Sequence, residues 1–225
     1  MNNKIISFSL WGNNPKYTIG AIKNAELALQ YYPDWSCRYY IGESVPVEIV
    51  SILEQFTNVQ IRFMEEAGDW NSMFWRFYAA GDDDVEIMIS RDTDSRINRR
   101  EKEAVNDWLK SGKSFHIMRD HPWHNSAILG GLWGIRGNLL KNISTLIENF
   151  NKNNMYQVDQ HFLNEIIYPL VKSDACVHDE FFENKPFPTK RRKWEFVGEI
   201  FDENDCSSLE HEIILEQELL KKGIS

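Results

Sequence analysis

The pentapeptide Arg91-Asp92-Thr93-Asp94-Ser95 carries the most concentrated chemistry in this 225-residue chain. It follows the apolar run VEIMIS (85–90), which reads as a buried strand, so the two acids sit in a turn that breaks strand alternation. Carboxylates two residues apart in such a turn can converge on one hard divalent cation, or divide between the cation and a ribose hydroxyl. A Mn²⁺ or Mg²⁺ held there would neutralise a diphosphate and stabilise it as a leaving group. On spacing alone the motif is weak, because Asp and Ser after a strand are also ordinary turn and cap residues.

Other groups of suitable type are scattered along the chain. Arg119-Asp120-His121-Pro122-Trp123-His124 mixes polar and aromatic side chains as a sugar site would. Its two histidines lack the companions of a zinc motif. Gly130, Gly131 and Gly134 bracket Trp133, Asp159-Gln160 opens a predicted helix, and His178 follows the short apolar run ACV. Lys190-Arg191-Arg192-Lys193 is a basic run that is either a solvated loop or a holder of diphosphate.

The elements that must position these groups alternate. KIISFSL (4–10), CRYYIG (37–42) and VQIRFM (59–64) read as strands, separated by helices over 18–32 and 46–56. Further helices are predicted over 69–80, 98–111, 138–149 and 157–168, with a strand over 114–118. The tail 207–222 reads as an amphipathic helix packed through Leu209, Ile213 and Leu220. The β-α-β-α-β opening predicts a parallel sheet with ligands beyond the carboxyl ends of its strands. The segment ILGGLWGIRG reads as irregular.

Composition narrows the class. A formal charge of -9 argues against a general nucleic-acid binder, which needs a broad basic face. Three cysteines without a CxxC pair predict neither a disulfide framework nor a zinc site. The first apolar run is too short for a secretory signal or transmembrane segment, so a soluble cytoplasmic protein is expected.

The layout resembles the GT-A glycosyltransferases, particularly the small soluble enzymes of bacteria and large DNA viruses. The resemblance rests on IISFSLWG, FWRFYAAGDDDVEIMISRDTDSR, MRDHPWH with ILGGLWGIRG, and VDQHFL, together spanning residues 5 to about 200. It implies one α/β GT-A-like domain over 1–225 with a mixed central sheet and helices on both faces. Residues 1–95 would form a Rossmann-like nucleotide-binding half, 96–206 the donor-sugar and acceptor half, and 207–225 a C-terminal helix.

By that resemblance Asp92 and Asp94 would be the metal and ribose acids, with His178 the distant third ligand to Mn²⁺ or Mg²⁺. Ser9, Trp11, Tyr17 and Arg76 would face the nucleotide, where Trp11 or Tyr17 can stack on a base. Arg91, Asp120, His121, His124, Gly131, Trp133 and Gln160 would line the sugar and acceptor region. Asp120 is the first candidate for a donor-sugar contact, and Asp159 for the reaction centre, as general base or as stabiliser of charge at the anomeric carbon. Lys190 and Arg191 would close over the diphosphate. The implied activity is hexosyl transfer from a nucleoside diphosphate sugar, expected to be a UDP-sugar, to a glycan or other hydroxyl acceptor. A sugar nucleotidyltransferase and a non-catalytic glycan-binding module are the alternative readings.

Overall fold

The computed structural model describes residues 3–150 and 157–223. Its centre is a seven-stranded mixed sheet in the order β3-β2-β1-β4-β6-β5-β7. The strands are β1 (Lys4–Leu10), β2 (Ser36–Ile41), β3 (Val59–Phe63), β4 (Ile87–Ser90), β5 (Phe115–Arg119), β6 (Trp133–Arg136) and β7 (Ala175–Asp179). β1 to β4 run parallel, β6 lies antiparallel between β4 and β5, and β7 pairs parallel with β5. Largely apolar runs such as KIISFSL, buried at every position after Lys4, suit strands covered on both faces, as parallel sheets require.

Strand alternation divides the core in two. Ile5 and Met88 point into one cluster with Phe74, Phe77, Trp133 and Phe162. Ile6, Phe8, Ile87 and Ile89 point into the other, where they meet α1 (Pro15–Tyr31), α2 (Val47–Leu53) and α3 (Arg99–Ser111). The first cluster is covered by a 3₁₀ segment (Trp70–Ala80), by α4 (Ile143–Asn149) and by α5 (Val158–Phe162).

Three predicted elements differ. Residues 70–80 wind as a 3₁₀ helix, not an α-helix. Its repeat of three puts Phe74, Phe77 and Ala80 on one buried ridge against the sheet, because side chains at i and i+3 eclipse. ILGGLWGIRG, read as irregular, contains β6 at the centre of the sheet. Gly134 fits there because a Cβ would press on Ile89 and Trp108. After α5 the chain passes through a π-helical turn (Leu163–Ile167) into α6 (Tyr168–Val171). Pro169, lacking an N–H, cannot continue an α-ladder back to Glu165, so the widened turn precedes it.

The C-terminal helix α7 (Leu209–Lys221) also packs differently from expectation. Leu215 and Leu219 are buried against Phe196, whereas Leu209, Ile213 and Leu220 face solvent. Leu215 and Leu219 are one helical turn apart, and Lys222 fixes the helix end by donating to the Glu180 and Phe181 carbonyls. No helix among the described residues is long and apolar enough to cross a membrane.

α1 is set unusually close to the turn after β4. A Cβ on Gly20 would overlap the carbonyl oxygen of Thr93. One turn on, the Asn24 amide donates to the carbonyls of Thr93 (3.3 Å) and Ser95 (2.8 Å) and accepts from Ile97 N–H (3.1 Å). In an ordinary helix interior Gly→Ala stabilises by about 1 kcal/mol. Here the sign should invert: Gly20→Ala is expected to destabilise by about 1–3 kcal/mol, the range for overpacking against unyielding backbone. A urea-unfolding midpoint at or above that of the wild type would contradict this close approach.

Candidate active site

The carboxyl ends of β1 and β4 open into a cleft of about 740 Å³, within the range of small-molecule sites. Ser9, Trp11 and Tyr17 line it from β1 and the start of α1, Arg76 from the 3₁₀ segment, and Asp92 and Asp94 from the turn. Gly130 and Gly131, His124, and Asp159 with Gln160 complete the opposite side. Ten sequence-predicted residues are thus brought together from segments up to 150 positions apart.

Arg76 organises the floor. It is buried, and its guanidinium bridges Asp92 through one nitrogen and Asp159 through another, the latter at 2.7 Å. The Ser9 hydroxyl accepts from the Arg76 backbone N–H at 2.9 Å, tying β1 to the 3₁₀ segment. Gly130 and Gly131 lie over this bridge. A Cβ on the first would strike the Arg76 guanidinium and the Asp159 carboxylate, and one on the second the Asp92 carboxylate. These glycines are required by close approach.

Asp94 has a separate cation. Its carboxylate pairs with Lys16 Nζ at 2.7 Å, from the first turn of α1. Burial raises the Asp94 carboxyl above its usual range, and the neighbouring Asp92 adds to this against the pull of Lys16. Asp159 is also raised by burial, opposed by Arg76. The carboxylates of Asp92, Asp94 and Asp159 face two cations, Arg76 and Lys16, leaving one formal negative charge in excess. Burial pushes His124 down to about 3, so its ring enters the cleft neutral.

The other predicted residues are elsewhere. Asp120 is fully buried behind the cleft wall: Arg100 donates at 2.7 and 2.9 Å, Arg191 at 2.6 Å and Val197 N–H at 2.9 Å. Its oxygens are occupied by these partners, and Arg191 is held there and by Glu180 at 2.8 Å. Lys190 borders a shallow recess with Arg99 and Arg192, away from the acids. His121 is buried against Phe196, with Nε2 on the His211 carbonyl at 3.0 Å. Arg91 lies beneath the site, 2.9 Å from Glu101 and donating to the Trp133 carbonyl at 3.2 Å. Trp133 is a core residue, stacked on Phe115 and edge-on to Phe77, because β6 turns it inward.

His178 does not face Asp92 and Asp94. It lies on β7 with Cys176, facing Asp107 of α3, and the ligand atoms of the three lie within 4.8 Å of one another and could hold a metal ion. His178 Nε2 is 3.2 Å from Asp107, and its Nδ1 is 2.8 Å from His116 Nε2. Every short contact has a donor when His178 carries its proton on Nε2 and His116 on its own Nε2. A metal on His178 Nε2 would move a proton to Nδ1 and leave a buried His116 Nδ1–H without an acceptor among the described residues.

Lys16, Asn24 and Arg96 also serve the site, although none belongs to a sequence motif. Arg96 donates to the carbonyls of Thr93, Ser95 and Asp202 and pairs with Asp205 at 2.9 Å, buttressing the acidic turn from behind. Lys16, Gly20 and Asn24 recur every four residues, and the glycine inside a helical pattern was the signal available.

No family model matches the chain, and no curated protein matches it in sequence. Solved structures do match in shape. A glycosyltransferase involved in the glycosylation of the major capsid of PBCV-1 aligns with a TM-score of 0.52 at 20% identity, covering 78% of this chain and 81% of that one. The galactosyltransferase LgtC, solved with donor and acceptor sugar analogues, aligns at 0.51 and 12% identity over 77% and 72% of the two chains. This chain has a GT-A-like fold. The 4-diphosphocytidyl-2C-methyl-D-erythritol synthase of Anaerococcus prevotii shares its outline as well, at 0.50 and 10% identity over 96% and 97%. On the GT-A-like sheet, the cleft occupies the strand ends where ligands of open α/β folds bind.

The cleft rim carries a titratable group of its own. Gly198 and Ile200 line the cleft, and burial of Glu199 between them pushes its carboxyl up to about 7, with Glu212 adding to the shift. A folded pKa above the unfolded 4.5 means that stability is fully present below 4.5 and is lost as pH rises through about 7. Glu199→Gln should therefore raise the urea midpoint relative to wild type near pH 8. The difference should vanish below about pH 4.5; an equal gain at both pH values would contradict the shift.

Proposed function

We propose that the chain is a glycosyltransferase that moves a sugar from a nucleoside diphosphate sugar, a UDP-sugar, to a glycan or other hydroxyl acceptor. The observation that carries this reading is the convergence of Asp92, Asp94, Arg76 and Asp159 on one cleft of a GT-A-like fold, with Lys16 reaching Asp94 from α1. Trp11 and Tyr17, at the β1 end, offer ring faces to the base. Ser9 is engaged by the Arg76 backbone and acts by holding the 3₁₀ segment.

The donor set fits a Mn²⁺ or Mg²⁺ ion. Two hard carboxylates adjoin in the cleft and one excess negative charge remains. Asp94 and Asp92 would hold the ion, whose chemistry is to neutralise charge on the departing diphosphate. His178, Lys190 and Arg191 take no part in this assignment, since none lines the cleft. Arg76 fixes Asp92 and Asp159 relative to one another. As the bond from anomeric carbon to diphosphate oxygen breaks and the bond to the acceptor oxygen forms, Asp159 can accept the acceptor's proton or face the developing positive charge. His124 and Gln160 supply neutral polar contacts for sugar hydroxyls.

A second reading, sugar nucleotidyl transfer, is favoured by one observation: a lysine, Lys16, does stand in the loop-to-helix segment after β1, where such chemistry needs a cation. Product analysis separates the two. With Mn²⁺ and a panel of nucleotide sugars, release of nucleoside diphosphate is expected, and Asp94→Ala should lower it by at least roughly a hundredfold. Pyrophosphate formed from a sugar phosphate and a nucleoside triphosphate would select the second reading. The transferase reading fails if neither product forms and Asp94→Ala binds nucleotide sugar as tightly as wild type.

A further inference from the structure

We propose that Lys16 is a resident counter-cation of Asp94 that a divalent ion must displace, and that it then transfers to the diphosphate, so that metal and nucleotide load together. The inference rests on the assignment of Asp94 as a metal acid.

The lysine is aimed by its helix. Asn14 caps α1, its side chain accepting from the Lys16 backbone N–H at 3.0 Å, and Pro15 opens the first turn. Lys16, Gly20 and Asn24 form one stripe of α1 facing the acidic turn. Gly20 sets the helix against the Thr93 carbonyl and Asn24 bonds the carbonyls on either side of Asp94. Lys16 is thereby delivered to Asp94 by two backbone-level contacts that do not involve its own side chain.

Its attachment is nonetheless of a releasable kind. Arg76 is buried and held at both ends by carboxylates, whereas Lys16 has one ion pair at the tip of a partly exposed stem. Among the described residues that pair is with Asp94 alone. Lys16 takes Asp94 Oδ2 and the side chain is only 14% exposed, so a divalent ion approaching that oxygen meets the ammonium and is repelled by it. Without an anion to receive it, Lys16 opposes metal binding. The ammonium sits 2.7 Å from Asp94, which lines the cleft, so a diphosphate bound beside Asp94 gives it another partner, and each ligand then strengthens the other's binding reciprocally.

The test measures Mn²⁺ binding without nucleotide, by the electron paramagnetic resonance of free Mn²⁺, in wild type, Lys16→Met and Asp94→Asn. Lys16→Met is expected to tighten Mn²⁺ binding about fivefold, the upper range for loss of a competing partly exposed ion pair. In calorimetry it should weaken UDP binding in the presence of Mn²⁺ and shrink the mutual enhancement of the two ligands. Lys16→Arg, which keeps the cation, should stay near wild type. If Asp94→Asn abolishes Mn²⁺ binding while Lys16→Met leaves it unchanged or weaker, the counter-cation role is overturned and the metal acids stand. If Asp94→Asn binds Mn²⁺ as wild type does, or if no variant binds it, the metal assignment fails and takes this inference with it.

Discussion

An arginine shared by two carboxylates holds this cleft together. Arg76 joins the 3₁₀ segment, the turn after β4 and the start of α5, adding a charge link to elements that the first core cluster already packs together. Buried charges of this kind persist only when paired, and removing one partner strands the others in a low-dielectric setting. The glycines above the bridge and the Ser9 hydroxyl behind it leave that guanidinium enclosed. The second cation, Lys16, serves the remaining acid from a helix fixed by backbone contact. The site thus combines one rigid charge pair with one that can exchange partners.

A similar hub lies behind the cleft wall. Asp120 gathers Arg100, Arg191 and the Val197 N–H, joining α3 to the chain that returns past Gly198 along the rim. Its role is to shape the wall through others, since its own oxygens are taken. The rim segment then meets the acidic turn directly, where Phe201 N–H donates to the Asp94 carbonyl at 2.8 Å. Two arginine–carboxylate centres, one facing the cleft and one behind it, therefore bracket the same turn.

What the sequence made legible was whatever leaves a periodic trace. β1, β2 and β4 stand out because parallel strands buried on both faces are continuous apolar runs, and the acidic turn follows from the end of β4. β6 left no such trace, since Gly134 and the glycines before it look like a loop until their neighbours are known. The candidate residues divide on the same principle. Asp92 and Asp94 follow the end of β4 and Asp159 opens α5, and both ends converge on Arg76 within the 3₁₀ segment. Asp120, Arg191, Trp133 and His178 have the right side chains, but their partners lie tens of residues away and turn them into wall, core or relay. A saturated polar hub and a sugar site have the same composition; only the identity of the bonding partner tells them apart.

The antiparallel β6 has a consequence for how the molecule assembles. β1 to β4 and α1 can associate as soon as the first 90 or so residues are available, through connections that rise steadily along the chain. β6 lies between β4 and β5, and the segment before it places Gly130 and Gly131 over the acids. Pairings between distant segments are slow to form because loop closure precedes their reward. The cover over the acids is therefore contributed by a segment distant in sequence from the strands that present them, a pairing of the kind whose loop-closure cost precedes its reward.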